Sequence, residues 1–236
     1  FETFEDTEDR IKGYVQESLF DENAMNDVIS NFMLPDVTIN ANIQEAEYKN
    51  WNEEWEEAGF ERININDSIT IYDARHDDGN GIASGISIGI ETKQAFGTGT
   101  HETTRMIVST LLNIDLKGKR VLDCGCGTGI LGIAASKLGA SEVVGYDIDE
   151  WSSENAIHNA ELNGVGNMKV MLGDASVLKS VEGKFDVVLA NINRNILLAD
   201  MPAFVSVMAD DSLLILSGFY ASDVDLLIEK ASSLGL

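Results

Sequence analysis

The chain has 236 residues, enough for one large domain and a small one. Its 44% hydrophobic content supports a sizeable core, and it contains no run of about 18 apolar residues that could form a membrane span. The net charge of -24 would repel bare nucleic acid and attract a basic protein, although solubility alone is a competing account.

Residues 1–60 hold 16 acidic and 3 basic side chains, so a quarter of the chain carries over half the net charge. That imbalance predicts a separate N-terminal module. Within it, Ile11, Gly13 and Val15 alternate with other residues as in a strand. Asp21 can cap a helix reaching Phe32, with Met25, Val28, Ile29 and Phe32 on one face. Pro35 stops that helix. Val37, Ile39, Ala41 and Ile43 then alternate like a half-buried strand. Residues 1–44 thus read as part of a small α+β layer. Residues 45–59 read as a linker helix, with Trp51 and Trp55 as packing anchors on one face. Residues 60–92 read as short strands and turns, and 77–81 as a turn or mobile tip.

From Lys119 onward, strands and helices alternate. Strands are expected over 121–124, 143–146, 169–172, 185–190 and 213–216. Helices are expected over 130–138, 155–163 and 195–208, and Ser222 is expected to cap a last one. This rhythm predicts an α/β fold with an open, Rossmann-like parallel sheet and right-handed crossovers. Cys124 and Cys126 are too close for good disulfide geometry and too few for a metal set. They read as small, buried, reduced residues of a cytoplasmic protein.

The segment Val121-Leu122-Asp123-Cys124-Gly125-Cys126-Gly127-Thr128-Gly129 falls where the first strand of the sheet turns into a helix, the ligand end of such folds. Dinucleotide sites space their glycines G-x-G-x-x-G, whereas Gly125, Gly127 and Gly129 are spaced G-x-G-x-G. A carboxylate at the loop entrance, Asp123, disfavours a pyrophosphate and favours a ligand carrying an ammonium and a sulfonium, which is S-adenosylmethionine. Asp147 ends the second strand and can accept from a ribose diol. Asp149 either serves instead or caps the next helix. Asp174 follows the third strand and either accepts from an adenine amino group or is a turn acid. Ile148 and Ala175, next to these acids, are counted with the cofactor site.

Three further segments, AFGTGTHETT at 95–104, NWNEEW at 50–55 and Ala190-Asn191-Ile192, complete a resemblance. The chain resembles the class I, seven-stranded S-adenosylmethionine methyltransferases. More narrowly, it resembles the family that methylates bacterial ribosomal large-subunit protein eleven. The resemblance spans nearly the whole chain, and the AFGTGTH segment is its most specific part. It implies an N-terminal ferredoxin-like domain that grips the ribosomal protein, a helical linker and a C-terminal catalytic domain over 60–236. It also implies methylation of lysine side-chain amines and of the α-amine, and cofactor contacts from Thr104, Gly125, Asp147 and Asn191. The chain departs from the family in having Glu102 where Pro is usual. It also lacks the first strand and helix of the N-terminal domain and the closing antiparallel strands of the sheet.

In this reading Asn191, with the main-chain carbonyl of Ile192, accepts protons from the amine and orients its lone pair. The loop 96–104 closes over the methionine end of the cofactor through Phe96, Gly97 and Thr98. His101 either accepts a proton or holds the loop. The expected protein is a monomer whose partner is the basic ribosomal protein, with no nucleic acid, membrane or metal contact. Rival readings are a small-molecule amine methyltransferase and a nonenzymatic binding protein.

Overall fold

The structure, a computed structural model, describes residues 3–6, 11–15, 20–32, 39–44, 59–82, 85–92 and 99–236. Two compact units divide the chain at Phe1–Lys49 and Asn50–Leu236.

In the first unit, β1 (Thr3–Asp6) pairs antiparallel with β2 (Ile11–Tyr14), and α1 (Glu22–Ser30) follows. As expected for a capping residue, the Asp21 side chain accepts from the Ala24 N–H at 3.0 Å. Along the predicted apolar face of α1, Met25 and Ile29 are half-buried while Val28 and Phe32 are exposed. The strand expected over 37–43 is not formed at its described positions. Residues 39–44 carry no regular structure and are exposed. Alternation makes a strand only where a neighbour supplies the ladder, and no described strand pairs with this one. The linker helix over 45–58, with Trp51 and Trp55, lies outside the described residues.

The second unit opens with a three-stranded sheet of β3 (Ile63–Ile65), β4 (Ile69–Asp73) and β5 (Ile86–Ile90). β3 and β4 are antiparallel, while β4 and β5 are parallel. The segment 77–81, expected to be a turn or mobile tip, is a fastened turn. The Arg62 guanidinium donates to both Asp77 carboxylate oxygens, at 2.5 and 2.6 Å, and to the Asn80 carbonyl at 2.7 Å.

Next comes α2 (Glu102–Leu111), a helix that the reading of the sequence left inside a loop. The predicted alternation then holds through β6 (Arg120–Cys124), α3 (Ile130–Lys137), β7 (Glu142–Asp147), α4 (Glu150–Leu162), β8 (Met168–Leu172), β9 (Phe185–Asn191), α5 (Arg194–Val207), β10 (Met208–Ser217) and α6 (Val224–Ser233). The helix expected from Asn155 starts earlier, because Asp149 caps it by accepting from the Ser152 N–H at 2.8 Å. At the last helix Ser222 is not the cap. A short 3-10 turn, Ala221–Asp223, leads in, and Asp223 holds the Tyr220 N–H at 3.0 Å and Arg194 at 2.8 Å.

These five strands form a parallel sheet in the order β10-β9-β6-β7-β8. Alternate residues of β6 face opposite sides. Val121 joins the core beneath α2, α3 and α4, while Leu122 and Cys124 join the core beneath α5 and α6. This is a doubly wound, Rossmann-like α/β arrangement. The chain steps from β6 out to β8, then returns to the other side of β6 at β9. Such a reversal opens a crevice at the carboxyl ends of β6 and β9. Among the described residues, no helix is long and apolar enough to cross a membrane.

Phe204 of α5 is completely buried in the core under the sheet. Replacing it with Ala should cost about 3–5 kcal/mol, since deleting a large buried ring leaves a cavity. Urea unfolding monitored by circular dichroism would measure that loss.

Candidate functional site

At the crevice, Gly125, Gly127 and Gly129 adopt φ values of 65°, 53° and 79°. L side chains are strained in this left-handed region, so the loop can only be tight with glycine. A Cβ at Gly125 would collide with Ile192 Cγ2. From the other side Gly218, at φ 88°, comes so close that its Cβ would lie 2.5 Å from the Ile192 carbonyl oxygen. Ile192 is therefore wedged between two glycines, one on the loop after β6 and one just past β10.

Two carboxylates hold the loop. Asp147, at the end of β7, accepts from the Gly127 N–H through Oδ2 at 2.9 Å and from the Asp149 N–H through Oδ1 at 3.1 Å. Asp123 does not sit at the loop's entrance, as the sequence predicts, but beneath it and fully buried. Its Oδ2 accepts from the Gly132 N–H at 2.9 Å, so it caps the first turn of α3 from the neighbouring strand. Its Oδ1 has no hydrogen-bond partner among the described residues. Burial raises the Asp123 pKa to about 7, opposed by the Gly132 hydrogen bond and reinforced by the nearby Asp147 charge. A phosphate site needs free amides at a helix N-terminus. Here two amides from the loop and the first helical turn are already given to carboxylates. The arrangement suits a nucleoside carrying positive charge.

Asp149 is engaged as the α4 cap. Ile148 is 76% exposed beside Asp147, at the ligand end of the sheet. Asp174 caps a 3-10 turn, Ala175–Ser180, by accepting from the Ser176 N–H at 2.9 Å; those Ser176 hydrogen bonds hold its pKa below the usual value. Ala175 is buried in the core on the α5 side. A groove of about 480 Å³ between this turn and α5 reaches the predicted site only through Asp174 and Ala175. The sheet reversal, not this groove, marks the ligand end.

Asn191 is the last residue of β9, opposite Ser217 of β10. Its Nδ2 faces Thr104 Oγ1 at 3.5 Å, and Thr104 is buried in the first turn of α2. Thr104 of the AFGTGTHETT segment and the asparagine that ends β9 thus meet directly. With the amide nitrogen turned to Thr104, the Asn191 carbonyl oxygen is left to point elsewhere. His101 stands just before α2, exposed, and starts the helix through its backbone. Phe96, Gly97 and Thr98 lie outside the described residues. Gly99, where description resumes, packs against Ile71 and Ile130.

Two features escaped the sequence reading. The helix α2 was legible in Thr104, Ile107, Val108 and Leu111, which fall at helical spacing and are all buried. The second is a row of asparagines, Asn155, Asn159 and Asn163, that joins α4 to β5 and to the glycine loop. Its signal was the four-residue spacing of side chains that do not favour a helix interior.

Cys124 and Cys126 are buried free thiols whose pKa burial raises well above the usual value, so they are inert.

The family model described as "Ribosomal protein L11 methyltransferase (PrmA)" matches residues 1–236. The ribosomal protein L11 methyltransferase of Phocaeicola vulgatus is 49% identical over 236 residues, covering 100% of this chain and 83% of the relative. That of Porphyromonas gingivalis is 42% identical, covering 100% of this chain and 80% of the relative. Among solved structures, a ribosomal protein L11 methylase from Lactobacillus delbrueckii subsp. bulgaricus aligns with a TM-score of 0.67 and 31% identity, over 74% of this chain and 89% of that one.

Asp123 makes stability depend on pH. Its folded pKa of about 7 lies above the ordinary aspartate value of 3.8, so the folded state keeps a proton that the unfolded chain loses first. Its contribution is whole below the unfolded pKa and is lost as pH rises toward 7. Asp123→Asn keeps an oxygen for the Gly132 N–H but cannot ionise. It should flatten the fall in stability between the two pKa values, as measured by thermal unfolding across that range.

Proposed function

This chain belongs to the ribosomal protein L11 methyltransferase family, and from that premise we propose which of its residues carry out S-adenosylmethionine-dependent methylation of that ribosomal protein. The observation that carries the proposal is the meeting of Asn191 with Thr104, beside Ile192 and the glycine loop.

The cofactor occupies the crevice at the ends of β6, β7 and β8. The backbone of Gly125, Gly127 and Gly129 makes room for it, and the fit is supported by the Cβ-free surface of the loop and by the unpartnered Asp123 Oδ1 below. Asp147 accepts from the ribose diol with the lone pairs that Gly127 and Asp149 leave. Ile148, Asp174 and the backbone at Ala175 would hold the adenine base. Thr104 would hold the methionine end, a role that the family resemblance also gives to Phe96, Gly97 and Thr98. When bound, S-adenosylmethionine supplies a methyl group on a sulfonium.

The amines to be modified are those of lysine side chains and the N-terminus. A lysine amine has a pKa of about 10.4, and only its neutral form has a free lone pair. Desolvation at the mouth of the site and the positive charge already there both disfavour the ammonium. Asn191 accepts one N–H through its side-chain oxygen, and the Ile192 carbonyl accepts another. Gly218 packs close to that carbonyl, where any side chain would crowd it. These two acceptors orient the lone pair, which is the positioning that a displacement at carbon demands. His101 contributes by starting α2 and thereby placing Thr104.

The module over 1–44 recognises the basic ribosomal protein, the segment over 45–59 links it, and 60–236 catalyses. The excess of acid in residues 1–60 supports this division. The protein acts as a cytoplasmic monomer, without nucleic acid or membrane as partner.

Two outcomes are expected in the full chain. In calorimetry with S-adenosylmethionine, Asp147→Ala loses binding, whereas Asn191→Ala still binds but transfers labelled methyl to ribosomal protein L11 about a hundredfold more slowly. Undiminished transfer by Asn191→Ala would remove that residue from the site. Deleting residues 1–44 should spare cofactor binding and abolish transfer to the ribosomal protein. Continued transfer would assign recognition elsewhere.

A further inference from the structure

The free edge of β5 is covered by a helix rather than by another strand. β5 pairs with β4 on one side, and its outer edge offers the N–H and C=O groups of Gly89 and, just past the strand, Glu91. Asn163, capping α4, accepts from the Gly89 N–H at 3.0 Å and donates to the Gly89 carbonyl at 2.6 Å. One turn earlier, Asn159 accepts from the Glu91 N–H at 3.0 Å and donates to the Glu91 carbonyl at 3.1 Å. Each side-chain amide thus exchanges both bonds with one residue, as a paired strand would. The lengths match. Four residues of helix rise about 6 Å, and two residues of strand about 6.6 Å.

Asn159 does more than cover an edge. It is fully buried, and its Nδ2 also donates to the Thr128 carbonyl at 3.0 Å, inside the glycine loop. Asn155, also buried, adds a donation to the Glu91 carbonyl at 3.0 Å, and His158 pairs with the Glu91 carboxylate at 2.9 Å. Glu91 lies two residues before the segment 93–98. On the far side of that segment, Gly99 packs on Ile71 and on Ile130, the first residue of the helix that the glycine loop feeds.

We propose that Asn155, Asn159 and Asn163 form a clamp that fixes the end of β5, through Glu91, against the glycine loop, with Asn159 as a positioning residue for cofactor binding. The proposal rests on reading the glycine loop as the cofactor site. Asn159 touches neither cofactor nor substrate. It acts through Thr128 on one side and Glu91 on the other, so that the loop and the end of β5 share one reference point. A side-chain amide suits this task because it donates and accepts at once. A carboxylate of the same shape keeps the bond from the Glu91 N–H, but it turns a lone pair toward the Glu91 and Thr128 carbonyls.

The test compares Asn159→Asp with Asn167→Ala in the full chain. Asn167 is a structural control near the amino ends of the strands, where it accepts from Ser136 at 2.6 Å and donates to the Ala140 carbonyl at 2.7 Å. Both variants should lower Tm. Asn159→Asp should also weaken S-adenosylmethionine binding about tenfold in calorimetry and raise its KM in step, leaving the KM for ribosomal protein L11 within about twofold of wild type. Asn167→Ala should bind cofactor as wild type does. If Asn159→Asp does not fold, Asn163→Ala, which releases Gly89 and the Asn159 carbonyl but leaves the bonds to Glu91 and Thr128, should show the same selective loss in smaller measure. Unchanged cofactor affinity in the folded clamp variant would overturn the proposal. So would an equal loss in Asn167→Ala. Cofactor binding by the wild-type chain tests the underlying reading separately, because the clamp is judged only by the ratio of variant to wild type.

Discussion

Ile192 is held by close contact from two sides. Gly125 approaches its side chain from the loop after β6, and Gly218 approaches its carbonyl from the end of β10. Both glycines lie at positive φ, a conformation in which a side chain would be strained as well as crowded. Packed protein interiors do not compress, and such a wedge sets a distance more stiffly than a single polar bond does. The bond between Asn191 and Thr104 is long, at 3.5 Å, and by itself is a weak tether. It needs only to choose which way the amide faces, because the neighbouring wedge has already fixed where the strand end stands.

The electrostatic character of the crevice follows from where backbone amides go. In a pyrophosphate site the amides of the glycine turn and the first helical turn point at the ligand. Here the Gly127 N–H is given to Asp147 and the Gly132 N–H to Asp123. Asp123 is displaced from the role the sequence suggests, since it lies under the loop and does not face the ligand directly. It still acts against an anion in two ways: it consumes an amide, and its buried oxygen repels negative charge whenever it is ionised. A cation above it favours that ionised form. The preference for a sulfonium nucleoside thus comes from occupied donors as much as from a bare charge.

What the sequence made legible is what depends on near neighbours. The strands from β6 to β10 announce themselves as short apolar runs, and the helices between them by their spacing, because each buries a face whose period is local. The glycine loop and Asp147 were placed for the same reason: each sits at a strand end that its neighbours in sequence define. The failures involve distant partners. Residues 39–44 alternate but find no ladder. The segment Thr3–Asp6 is an exception: its partner β2 is near in sequence, and its charged residues hid the strand. Asn155, Asn159 and Asn163 read as an unremarkable helix face, since their partners lie 64 to 74 residues away on β5 and beyond. Ser222 lost the last helix to Asp223, which is held by Arg194 across 29 residues.

The same distinction explains why the most specific motif tolerates its one departure. Glu102 stands where the family usually has Pro, and the structure makes this the first residue of α2. Pro is favoured at that position because its φ is already helical and its missing N–H has no helical partner to lose. Glu reaches a similar end by different physics. Its carboxylate lies at the positive end of the helix dipole, an interaction worth about 0.3–1 kcal/mol at an exposed site. Either residue starts the helix at the same place. Two positions on, Thr104 is then buried with its hydroxyl toward Asn191. The motif needs a helix beginning in register with β9, and the chemistry of its first residue matters only as far as it secures that beginning.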